Sequence, residues 1–135
     1  MNIELSEKEF RRLLDLVYIG NWILNSTRGD DRFEDYDNIQ EKLFALCLKN
    51  GMPSLASRWM GHVFPSQAFE EGGIHEAIAD YEDAVFFGIL AEELARRDLG
   101  LEAEDPEDWT ELNGRMEEYL TEFDKNGLNT INIDM

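Results

Sequence analysis

The chain has 135 residues, 43% of them hydrophobic and 11% aromatic, with 30 acids against 12 bases and a net charge of −18. That length suits one domain, residues 1–135, with a core that needs no disulfide staples. The charge makes DNA, RNA and anionic membranes poor direct partners, because binding phosphate relies on Lys and Arg, and no apolar run approaches the roughly 18 residues of a membrane span.

The acidity is unevenly placed. Residues 1–58 hold ten acids and eight bases. No Lys or Arg occurs between Arg58 and Arg96, and residues 101–124 hold ten acids with Arg115 alone to oppose them. The N-terminal MNIELSEKEF lacks the basic start and apolar core of a secretory leader. The one cysteine, Cys47, lies in the apolar pattern KLFALCLKN. It reads as a core residue in a reducing setting rather than as a nucleophile, so a cytoplasmic location is expected.

Met1–Leu5 alternates apolar and polar residues as a short strand would. Ser6 opens a helix: S-x-x-E at Ser6 and Glu9 is a capping box, and Phe10, Leu13, Leu14, Val17 and Leu24 share one face. Tyr18, Ile19, Trp22 and Ile23 make the second half of this helix apolar all round, which predicts a central helix or a contact with another chain. Residues 25–38 form a polar loop. Asp35 or Asp37 then caps a second helix running to about Lys49, stopped by Asn50-Gly51 with Pro53 beyond. Ser54 can cap a short helix through Met60. HVFPSQAFEEGG is a loop with a turn of helix after Ser66. A long helix runs from about Ile74 to Asp98 and ends at Gly100. Asp105-Pro106 starts the last helix, whose stripe is Trp109, Leu112, Met116, Tyr119, Leu120 and Phe123 and whose end is Asn126-Gly127. Thr130–Met135 alternates again.

This pattern predicts a mainly α fold, an irregular antiparallel bundle of four main helices plus a short helix, with a small two-strand pairing of the N- and C-terminal segments. Gly20 and Gly88 each lie mid-helix at a cost of about 1 kcal/mol against alanine, which suggests that the first and long helices cross closely there.

Most chemistry is argued against by what is missing. There is no P-loop, no G-x-G-x-x-G after a strand and no G-x-S-x-G elbow, and neither His62 nor His75 sits in a metal-ligand spacing. Asn21 falls on the apolar face of the first helix and reads as a hydrogen-bonded core amide. Glu92 falls on the apolar side of the long helix, with Arg96 one turn on as its natural partner.

One carboxylate set asks for a decision. Glu76, Asp80 and Asp83 lie at i, i+4 and i+7 on one helix face, and Glu41 with Asp37 offers a second pair. Two such faces can hold Mg²⁺ or Mn²⁺ in a phosphohydrolase. The all-helical nucleotide pyrophosphatases pair E-x-x-E with E-x-x-D, and this chain departs from both patterns. The leading expectation is therefore a non-enzymatic, cofactor-free protein that docks a basic protein partner, of the inhibitor, immunity or DNA-mimic type. Its acids would be Glu107, Asp108, Glu111 and Glu118, its aromatic anchors Trp22 and Phe86. A homodimer that buries the all-round apolar helices is the third reading.

Overall fold

The computed structural model describes residues 1–135. It is 64% helical, with four main helices and one two-stranded antiparallel sheet, so the mainly α class holds. The chain divides into two compact units, Met1–Ile78 and Ala79–Met135. No helix is long and apolar enough to cross a membrane.

In the first unit, α1 spans Glu7–Asn25 and starts as its sequence dictates. Ser6 Oγ accepts from the Glu9 amide at 3.1 Å, and the Glu9 carboxylate accepts from the Ser6 amide at 3.0 Å. Its buried stripe is Leu14, Tyr18, Asn21 and Asn25, while Leu16 and Ile23 face solvent. The helix α2 spans Glu34–Ala45. Neither Asp35 nor Asp37 caps it; Asn25 instead accepts from the Phe33 amide at 2.8 Å and donates to the Phe33 carbonyl at 3.1 Å, gripping the entry to α2 from α1. A 3₁₀ turn at Leu46–Leu48 follows, and Gly51 adopts φ 77°, so the stop at Asn50-Gly51 stands where expected.

Residues 54–60 do not form the expected short helix. Pro53–Leu55 makes one 3₁₀ turn, then β1 (Ala56–Trp59) pairs antiparallel with β2 (His62–Pro65). The turn residues Met60 and Gly61 both have positive φ, 50° and 79°, as a two-residue hairpin loop matched to strand twist requires. The sheet is therefore this hairpin; the N- and C-terminal segments expected to pair carry no strand. Ser66 Oγ accepts from the Phe69 amide and donates to the Ser54 carbonyl at 2.6 Å, starting the single turn α3 (Gln67–Phe69) and tying it back to the hairpin's base. A wider turn at Glu70–Ile74, with Gly73 at φ 113°, leads into α4 (His75–Leu99). The core gathers Leu14, Tyr18, Phe44, Cys47, Met52, Phe69, Ile74 and Ile78. Phe44 and Phe69 meet edge to face at 4.9 Å and are fully buried, each stabilising by about 2–3 kcal/mol.

The second unit holds the rest of α4 and α5 (Thr110–Asn126). The two run antiparallel: Asp98 meets Arg115 and Tyr119, and the Phe87 ring lies 5.2 Å from Phe123. The last helix starts at Thr110 rather than at Asp105-Pro106. Arg96 engages the expected cap instead: its guanidinium donates to the Glu104 carbonyl at 2.7 Å and pairs with the Asp105 carboxylate at 2.9 Å, holding both against the end of α4. Gly127, φ 57°, closes α5 as expected. Only Ala91, Ala95, Leu112 and Phe123 are buried here, a thin core for two helices. A Cβ built on Gly20 or Gly88 meets nothing within 4 Å, so neither glycine marks a close backbone approach.

Candidate functional site

The second unit carries 17 acids and four bases. Three of those bases are spent internally. Arg96, its side chain 12% exposed, caps its own chain's carbonyls and lies 3.8 Å from Glu92, so the expected Glu92–Arg96 pair exists but is secondary to Asp105. Its guanidinium also lies 5.6 Å from the Trp109 ring, a cation–π contact. Arg97 and Arg115 converge on Asp98 at 2.9 and 2.8 Å, and the Tyr119 hydroxyl donates to the same carboxylate. Those donors, Tyr119 first, pull Asp98 down to about 2. Arg115 also reaches Glu118 at 2.6 Å.

The four acids expected to meet a partner therefore divide. Asp108 accepts from the Thr110 amide and hydroxyl at 2.9 and 2.7 Å, which holds the first turn of α5 and lowers its pKa. Glu118 is paired with Arg115. Glu107 and Glu111 are exposed with no base within 4 Å. Asp80, Asp83, Glu117 and Asp124 share that condition, although sequence reasoning singled out only the first two, as metal ligands.

The aromatic candidates lie in different units. Trp22 is 37% exposed, stacked on Tyr18 at 6.2 Å and edge-on to His75 at 4.8 Å. Phe86 is 47% exposed and rests on Phe87 at 5.0 Å. Beside Phe87, a groove of about 500 Å³ on the second unit is lined by Phe87, Leu120, Thr121, Phe123 and Asp124.

As for the carboxylate stripe, Glu76, Asp80 and Asp83 are all exposed along α4. Glu41 is engaged elsewhere: it accepts from the Val63 amide at 3.0 Å and from His62 Nδ1 at 2.9 Å, and these donors lower its pKa. Nowhere are three His, Cys, Asp or Glu side chains arranged to hold a metal ion.

Two polar assemblies in the first unit rest on partners distant in sequence. Asn21 donates to Asp37 at 3.0 Å and to Gln40 at 3.2 Å and accepts from Asn25 at 2.6 Å, while Arg32 reaches Asp37 at 2.8 Å. Arg32, with the two amides, lowers the pKa of Asp37. The core-amide reading of Asn21 is thus right; one partner, Asn25, lies a helical turn away, but Asp37 and Gln40 lie 16 and 19 residues away and have no local signature. The Tyr18 hydroxyl lies 2.7 Å from His75 Nε2, and burial, with the Glu70 charge, pushes this phenol up to about 12. Every buried side-chain polar atom has a partner. This network braces α1 against α2, and it leaves no orphaned group aimed at a ligand. Comparison with protein-family models, curated proteins and solved structures finds no match.

Proposed function

We propose that this protein is a non-enzymatic, acidic protein-binding module of the inhibitor, immunity or DNA-mimic type, acting in a reducing cytoplasm through its Ala79–Met135 unit on a basic partner. The observation that carries this reading is the disposition of charge. Seventeen acids face four bases in that unit, and Arg96, Arg97 and Arg115 are consumed within it. The field it presents is therefore almost wholly negative, which steers a basic surface inward and raises the rate of encounter more than the final affinity. The free acids Glu107 and Glu111 flank the exposed Trp109, giving an apolar contact inside a charged rim.

The test is capture of partners from a lysate of the source cells, then stopped-flow association of the purified pair at rising ionic strength. A basic partner, an on-rate that falls steeply with salt, and a lower on-rate for Glu107→Gln/Glu111→Gln support the reading. An on-rate indifferent to salt overturns it. Competition by duplex DNA for the captured partner marks the DNA-mimic form.

A further inference from the structure

Resting on that reading, we infer that the groove between α4 and α5 is a seat for an amphipathic, lysine- or arginine-bearing helix of the partner. The apolar floor is Phe87, Leu120 and Phe123, about 500 Å³ in volume and open to solvent. One acid, Asp124, lines it, and helical spacing sets three more on the same faces. On α4, Asp80 and Asp83 share a helix face with Phe87, at seven and four residues before it. On α5, Glu117 and Asp124 flank Leu120 at three and four residues. None of these four acids has a base within 4 Å. The α4 carboxylates thus share the helix face of a groove-lining phenylalanine, and no three of them gather as a metal cage would require.

The chemistry of the occupant follows from this juxtaposition. Two antiparallel helices that bury only four side chains leave a ridge-lined trough, which a third helix fills with residues at i, i+3, i+4 and i+7. Its flanking positions meet carboxylates, so they must be basic. A second copy of this chain is the wrong occupant, because the same unit would bring net charge of −13 against −13. Nucleic acid is excluded by sign.

The probes are three labelled 15-residue peptides against the full chain at physiological salt, read by fluorescence anisotropy. One carries leucines on one helical face and lysines on the other. One has the same composition with leucines scattered around the helix. One replaces every lysine with glutamate. The facial lysine peptide is expected to bind one to one, at least ten-fold tighter than the scattered one, and the glutamate peptide not at all. Two variants at exposed positions, Thr121→Arg and Glu117→Lys/Asp124→Lys, are expected to weaken it at least ten-fold with thermal unfolding unchanged. Equal binding of the two lysine peptides overturns the groove while leaving a merely acidic docking surface. Wild-type affinity in both variants also overturns it. Failure of both lysine peptides to bind overturns the groove and the proposed function together.

Discussion

Asn25 joins two helices with one side chain. It is 1% exposed, and its amide both gives to and takes from the Phe33 backbone while feeding Asn21. Removing a buried amide leaves several partners unsatisfied, so Asn25→Ala is expected to cost about 2–3 kcal/mol. A urea midpoint lowered at constant slope would show it, and an unchanged midpoint would contradict it. Asp98 is the matching anchor of the second unit. Its folded value of about 2 lies below the ordinary 3.8, so the sign is that of a depressed acid. Its stabilisation is complete above about pH 4 and is lost as pH falls toward 2. Asp98→Asn should therefore unfold with a shallower acid dependence over that window than wild type; parallel acid profiles would sink the idea. Neither residue was legible in advance. Asn25 opens what reads as a polar loop, and Asp98 gains its role only when Arg115 and Tyr119 return on another helix.

Elements were legible where their signals are local. The capping box at Ser6, the stop at Gly51, the cap at Ser66 and the end at Gly127 all depend on residues within four positions, and all stand. Ser6→Ala should destabilise α1 by about 1 kcal/mol, read as a shift in thermal midpoint. The hairpin failed to register because Ser54 resembles a helix cap and its strands are four residues each. The available signal was Met60-Gly61 between two alternating runs, a weaker form of the Asn-Gly turn. The start of α5 was misplaced because Arg96 draws Asp105 away, a tertiary effect outside any cap rule. The carboxylate face of α4 is the element best settled by titration. Thermal unfolding with Mg²⁺, Mn²⁺ or Ca²⁺, against ionic-strength-matched controls, is expected to show no metal-specific rise that Asp80→Asn/Asp83→Asn removes; such a rise would restore a metal site.

At the scale of the whole molecule, surface and charge argue together. The chain exposes 10340 Å². Even two separate compact globules of these lengths would expose about 8,700 Å², and any packing between them only lowers the total. Phe86, Ile89 and Tyr81 are exposed; the proposed reading has a basic partner cover such apolar surface, where the homodimer reading has a second copy do so. Salt separates the two completions. Self-association of a chain with net −18 is opposed by repulsion and should strengthen with salt, whereas docking of a basic partner should weaken. Sedimentation is expected to find a monomer at low salt, and a tight low-salt dimer would favour the homodimer instead. The charge asymmetry behind this argument was legible from composition. The groove was not, because Phe87 and Leu120 lie 33 residues apart and meet only through the turn at Gly100.

The junction of the two units also sets how the chain can be cut. It falls within α4 at Ile78 and Ala79, and residues 79–84 are exposed on every side. It falls as well in the only long stretch without lysine or arginine, from Trp59 to Ala95. Proteases that cleave after basic residues therefore have no bond there to attack, however far that turn of helix frays. One that cleaves after aromatic residues finds Tyr81, 62% exposed, at the centre of it. The link between the units is thus shielded from one large class of peptidases by composition rather than by burial, and the bond after Tyr81 is the one an aromatic-directed protease would cut there first.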